Sequence, residues 1–397
     1  MISSYREYYN KNFTVEGYIR FKAAVQKGYP PIPIRFAETP VFIPAALKEQ
    51  LISAGEEIIK VIRQPNFKSL TNAAIPTEWF VPGENDHPHF LALDFGVCKD
   101  KHGELVPRLI EMQGFPSLFG LQTHLADKYK EVFELDKIAE LTPFFNGLNE
   151  QQYYDLLKRA VVAGHDPEQV ALMDVNAPHQ KTAVDFYITQ KHLGIAVLGL
   201  TDIFKEGNRL FYLKEGRKIR ITRIYNRLIF DEVRNQQELF KQSFDPREPL
   251  DVEWVTHPNW FYRISKFTLP FLKNEFVPET RFLNTIEVIP EDLENYVLKP
   301  LFSFAGTGVI IDVTAADIKA IPDPENWILQ KKVVYEPVIQ SPEGLVKTEI
   351  RLLYIWPDGE EPRLCINLVR LSKGKMIGVN HNADLDWVGG TVGLMDR

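Results

Sequence analysis

Cysteine is nearly missing from this 397-residue chain. Cys98 and Cys365 show no metal-ligand spacing and make no disulfide framework. Neither has a sequence neighbour that would activate its thiol, so no role is assigned to them. Long hydrophobic runs are missing too: no uninterrupted apolar stretch approaches the roughly 18 residues of a membrane-spanning helix. A surplus of positive charge is also lacking. The net charge is −7 and the pI near 5.8, so no global field draws in nucleic acid or an anionic membrane. The first residues, MISSYREYYNKNF, have no apolar h-region of a secretory signal. Together these set the expectation of a reduced, cytoplasmic protein. Internal repeats and low-complexity segments are not seen. What is present, 45% apolar and 25% charged residues, is the composition of an ordinary globular protein, long enough for two or three domains.

The residue pattern predicts three regions. In the first, 1–165, apolar residues at helical spacing (Leu47, Leu51, Ile58, Ile62) predict an amphipathic helix over 45–64. A loop at 81–90 leads into FLALDFGVCKDKHGELVPRLIEMQ (90–113), which reads as a β-hairpin turning at Gly103. Helices follow from about Leu118 and over 149–165. The second region, 166–246, reads strand, loop, helix, strand, with VALMDV, a helix from about Lys181 to His192 closed by Gly194, and IAVLGL. NRLFYL and KIRITRIYNRLIF add further strands, and 241–254 is the predicted linker. The third region, 247–397, carries a predicted helix near 265–276 and a strand, glycine turn and strand at 295–313. WILQKKVVY is expected to pair with EIRLLYIW, and LCINLVRLS with KMIGVNH.

Folding the hairpin between His102 and Gly103 sets Asp94 opposite Glu111, with Gln113 on the same face. Facing carboxylates repel unless a cation lies between them, and Mg²⁺ takes one or two carboxylates plus phosphate oxygens. A solvated acidic face is the plain alternative, and a one-residue bulge would move Glu111 away. In YVLKPLFSFAGTGVIID (296–312), Lys299 ends a strand before a turn whose Gly306 and Gly308 permit positive φ and close approach of backbone N–H groups to phosphate. It matches neither a P-loop nor GxGxxG, and a purely structural glycine turn stays open. Lys266 begins a predicted helix, a position poor for the macrodipole but useful to phosphate. WILQKKVVYEP offers an exposed hinge with Gln330 alongside, fit to read an adenine edge. Glu349 and Arg351 share one strand face, and Arg370 lies on the next strand.

In order along the chain, these segments resemble the ATP-grasp superfamily, in its circularly permuted branch related to the synthetase part of glutathionylspermidine synthetase. The residues carrying the likeness are Asp94, Glu111 and Gln113; Lys266 in SKFTLPFL; Lys299 in KPLFSFAGTGV; and Gln330 in ILQKKV. The resemblance implies an α+β or α/β architecture, an ATP-grasp fold with a Rossmann-like pre-ATP-grasp domain over 166–246. It implies ATP- and Mg²⁺-dependent ligation of a carboxylate to an amine through an acyl-phosphate. Asp94, Glu111 and Gln113 would hold Mg²⁺. Lys266 and Lys299 would hold phosphates, under a turn formed by Ser303, Ala305, Gly306, Thr307 and Gly308. Gln330, Lys331 and Val333 would meet the adenine. Two departures stand out: Gln113 replaces an asparagine, and Ala92 replaces an arginine expected near the transferring phosphoryl group. Arg351 and Arg370 are the candidates for that catalytic role. Candidate substrate residues are Arg223 and Arg227, suited to a carboxylate, and His179 and Gln180 in a post-strand loop. Small-molecule carboxylate and amine substrates are the expected partners, with neither nucleic acid nor membrane, and a homodimer is left open. An ATP-binding pseudoenzyme and a small-molecule kinase without ligation are the competing readings.

Overall fold

The computed structural model describes residues 1–229, 243–303, 306–374 and 385–397. Its largest sheet is antiparallel and joins distant parts of the chain. The order is Gly389–Thr391, Arg363–Ser372, Gly344–Ile355, Phe90–Lys99, Leu105–Gln113, with Ile339–Ser341 paired to one end of Gly344–Ile355. Period-2 alternation divides its two faces. Leu91, Leu93, Phe95 and Val97 point one way, into a core shared with Leu47, Leu51 and Ile58 of the helix Ala45–Ile62. The opposite face is split. At one end Phe90, Ala92, Leu353 and Ile355 are covered by the helix Glu150–Val161, whose capping box is closed by Asn149 and Gln152. At the other end the same face carries Asp94, Glu349, Arg351 and Arg370.

A second sheet is fully parallel, in the order Glu253–Val255, Arg223–Asn226, Val170–Asp174, Ala196–Gly199. The predicted strand–helix–strand unit forms one half of it: the helix is Ala183–Leu193, and Gly194 closes it at φ 74°. Parallel strands buried on both faces read as continuous apolar runs, which is why VALMDV was legible. The expected linker over 241–254 needs correction, because Glu253–Val255 is the edge strand of this sheet, paired with Arg223–Tyr225.

A third sheet, Thr280–Phe282, Trp327–Lys331, Tyr296–Pro300, is antiparallel. The expected pairing of WILQKKVVY with EIRLLYIW is therefore wrong: Gly344–Ile355 sits between the hairpin and Arg363–Ser372 instead. KMIGVNH lies outside the described residues, and LCINLVRLS pairs on its outer side with Gly389–Thr391. The helix expected near 265–276 is a 3₁₀ turn, Lys266–Phe271, with Pro270 inside it. Proline lacks the N–H that an α-helix would need at that point. The chain ends meet in a small sheet where Val41–Phe42 runs parallel to Gly393–Leu394. No helix among the described residues is long and apolar enough to cross a membrane.

Candidate functional site

Asp94 does face Glu111, and it does so because of a bulge. Near the turn Lys99 pairs with Leu105 and Phe95 with Leu109, a register that would set Asp94 against Ile110. One extra residue on the second strand, at Ile110, shifts the ladder so that Asp94 meets Glu111 and Ala92 meets Gln113. Bulges re-aim side chains, and this one turns Glu111 onto the charged face while presenting the Ile110 carbonyl to Lys299 at 3.1 Å.

Asp94 is fully buried, and positive groups saturate it. Arg351 grips it with two parallel bonds, Nε to Oδ1 at 2.5 Å and Nη2 to Oδ2 at 2.6 Å. Arg370 adds a bond to Oδ2 at 2.6 Å and also pairs with Glu349. Burial opposes ionisation of Asp94, but Arg351 and Arg370 outweigh it and hold the carboxyl below its usual range. Glu349 goes the other way: burial, reinforced by Asp94 and Glu111, raises it against the pull of Arg370. Position 92 is alanine, and the two arginines on Asp94 come from the strands Gly344–Ile355 and Arg363–Ser372. Ala92 itself is buried in apolar packing with Phe90 and Leu353.

Tyr335 closes this network from above, donating to Glu349 Oε2 at 3.1 Å. It fits because position 96 is glycine. A Cβ there would stand 2.8 Å from Tyr335 Cε1 and 2.9 Å from Val333 Cγ1. Gly96→Ala is accordingly expected to lift this strap and cost about 1–3 kcal/mol of stability, read by chemical denaturation. An unchanged midpoint would show that the strap yields freely.

Next to the arginine cluster lies a second charged group. Glu111, partly exposed, accepts from Gln113 Nε2 at 3.2 Å and lies 3.9 Å from Lys266 Nζ. Lys266 donates to the Ser303 carbonyl at 2.6 Å, which brings the glycine turn to the hairpin. Gly306 and Gly308 in that turn have φ of 77° and 74°, the left-handed values that favour glycine, and Thr307 between them is exposed. Ala305 lies outside the described residues. Lys299 is buried, donating to Gln330 Oε1 at 2.6 Å, and burial lowers its pKa to about 8 even with Glu111 opposing. The other amide atom of Gln330, Nε2, is buried with no hydrogen-bond partner among the described residues. Lys331 points outward, 3.4 Å from Glu279, and Val333 lies over Gly96. Glu111, Gln113, Lys266 and Ser303 line one cleft, whose remaining walls are mostly apolar and include the rings of Phe115, Phe261, Tyr262 and Phe302.

No family model matches the chain, and no curated protein matches it in sequence. A solved structure does match: a glutathione synthetase-like effector from Globodera pallida, in its apo form, with a TM-score of 0.60 over 96% of each chain at 11% identity. The two chains share a fold. At that identity the likeness speaks to architecture alone, a mixed α and β chain of several sheets like that glutathione synthetase-like protein.

The four candidate substrate residues separate. Arg223 is a structural clasp and the carboxylate-binding role expected of it is corrected. It is 3% exposed, bonded to Asp358 at 2.8 Å, to the Ala160 and Val161 carbonyls, and to Glu253. Arg227 differs: it is 4% exposed, and its Nε and Nη1 have no hydrogen-bond partner among the described residues. Its guanidinium lies 4.4 Å from the Phe115 ring centroid and 4.9 Å from that of Phe186. Gln180 donates to Asp174 Oδ1 at 2.7 Å, just past the end of a parallel strand, and His179 beside it is exposed. Sequence reasoning missed Tyr335 and the aromatic walls Phe115, Phe261, Tyr262 and Phe302. A signal existed for the walls: each lies within four residues of a motif position, in EMQGFP, NWFYRISK and KPLF.

Proposed function

We propose that ATP binds with its phosphates at the polar, Lys266 end of this cleft and that the chain is an ATP-dependent carboxylate–amine ligase. The observation that carries the reading is the convergence of Lys266, Lys299, Glu111 and the Ser303 turn, which come from three separate segments. Surface charges have no need of such convergence, whereas phosphoryl transfer depends on positioning and charge neutralisation. Lys266 and Lys299 would meet the phosphates, and Ser303 with Gly306, Thr307 and Gly308 would cover them. Gln330 Nε2, without a hydrogen-bond partner among the described residues, fits a ligand acceptor beside Lys299, with the segment from Lys331 to Val333 along the base. In the reaction, the γ-phosphoryl group moves from ATP to a substrate carboxylate oxygen and ADP leaves. A neutral amine then displaces phosphate and gives up one proton as the C–N bond forms. Arg227 would act on the substrate through the Phe115 ring it packs against, and His179 and Gln180 stay candidate substrate residues at the strand ends.

The donor set fits Mg²⁺ in a reduced form. Among the described residues no three His, Cys, Asp or Glu side chains converge as a metal cluster, and both oxygens of Asp94 are held by guanidiniums. Glu111 and the Gln113 carbonyl remain, which with phosphate oxygens and water suffices for this ion. Asp94 then holds and orients Arg351 and Arg370, and those arginines face developing negative charge. Bound there, the ion would neutralise phosphate oxygens.

Calorimetric titration with ATP, with and without Mg²⁺, tests the reading. Binding in the micromolar to low-millimolar range is expected, weakened on the order of 10–100-fold by Glu111→Gln only when Mg²⁺ is present. Absence of binding at millimolar nucleotide would end it. The pseudoenzyme reading is favoured by one observation, the closed pairing of Arg351 with Asp94. It predicts the same binding but no phosphate release over a pool of acids and amines.

A further inference from the structure

The cleft is polar at its Lys266 end and mostly apolar elsewhere, with four aromatic rings in its walls. Phe115 meets Phe261 edge-to-face with centroids 5.2 Å apart, and Tyr262 meets Phe302 in the same way at 5.4 Å. Ile229 and Leu301 extend this wall. The empty space is about 560 Å³, open solvent at its mouth included. Phe115 also packs against the buried Arg227 guanidinium, which lies over the Phe186 ring as well.

We propose that this cleft selects an aromatic or branched apolar carboxylic acid, amino acids included, seated with its hydrocarbon body among Phe115, Phe261, Tyr262 and Phe302 and its carboxylate toward Lys266 and Ser303. An apolar body gains by leaving water and by edge-to-face contact with these rings. A small polar acid or a hydrophilic peptide would instead set amide and carboxylate groups against them with no partner, and unsatisfied buried polar groups are costly. This deepens the ligase reading, which supplies the later fate of the carboxylate; the binding preference stands on the cleft alone.

The test is a calorimetric titration of the full chain without nucleotide, using 3-phenylpropanoate, L-phenylalanine and L-leucine against L-glutamate and glutathione. The phenyl acids are expected to bind at least tenfold more tightly than glutamate and glutathione. Phe261→Ala, on a half-buried ring, should weaken 3-phenylpropanoate at least tenfold, and Phe261→Leu should recover part of that loss. Equal or tighter binding of glutamate or glutathione would overturn the proposal. So would the absence of binding by any acid, or an unchanged affinity in Phe261→Ala. The wild-type comparison needs no variant to fold, and ATP titrated separately decides the nucleotide reading, so either idea can fail alone.

Discussion

Arg351→Met is expected to lower the unfolding free energy by about 3–5 kcal/mol, because it strips a buried carboxylate of its bidentate partner. Asp94 has no solvent to fall back on, and Arg370 can satisfy only one of its oxygens. The double variant Asp94→Leu, Arg351→Met should recover much of the loss, since replacing both charges by apolar groups removes the desolvation cost along with the attraction. The pH dependence has a definite sign. The Asp94 carboxyl is held below its ordinary value, so its contribution is complete above the unfolded-state pKa of about 3.9 and is lost as pH falls through the lower folded value. Arg351→Met should therefore flatten the acid limb of a stability–pH profile measured by urea denaturation. A wild-type and variant pair with parallel acid limbs would show that Asp94 does not depend on this arginine.

The same cluster marks what could be read from sequence. The facing of Asp94 and Glu111 was legible from strand alternation, yet the register near the turn is one residue away from the symmetrical fold, and the Ile110 bulge restores the pairing. Alternation reports which face a residue takes but not which strand lies alongside. That is why Trp327–Lys331 and Gly344–Ile355 were recognised as strands and matched to wrong partners. Partner choice is settled by contacts more than 200 residues apart, such as Arg351 with Asp94, that no local pattern contains. Arg223 fails for a related reason. An arginine beside an apolar run signals either a ligand or a buried clasp, and only the positions of Asp358 and Glu253 decide between them. The short 3₁₀ turn at Lys266 was legible in principle, because Pro270 forbids the α-helix expected there.

Lys299 is expected to separate stability from function. Its pKa is lowered to about 8, chiefly by burial, so in the range between about 8 and the unfolded value near 10.4 the unfolded chain binds the extra proton. Stability therefore rises with pH across that window, and at pH 7 the buried charge costs roughly 3 kcal/mol at most. Lys299→Met removes this cost while leaving the Ile110 carbonyl and Gln330 Oε1 without their donor, which offsets about 1–2 kcal/mol. The variant should be as stable as the parent or more so at pH 7, with the advantage shrinking as pH approaches 10. Its affinity for ATP should fall at least tenfold, the loss of a charge-assisted bond to phosphate worth about 1.5–3 kcal/mol. In the parent, ATP affinity should decline above pH 8 as Lys299 gives up its proton, and the variant should show no such decline. A buried charge that costs the empty protein stability, and that a bound anion would offset, is the mark of a binding residue. If Lys299→Met is destabilised across the whole pH range and binds ATP as the parent does, the lysine serves the fold and not the ligand.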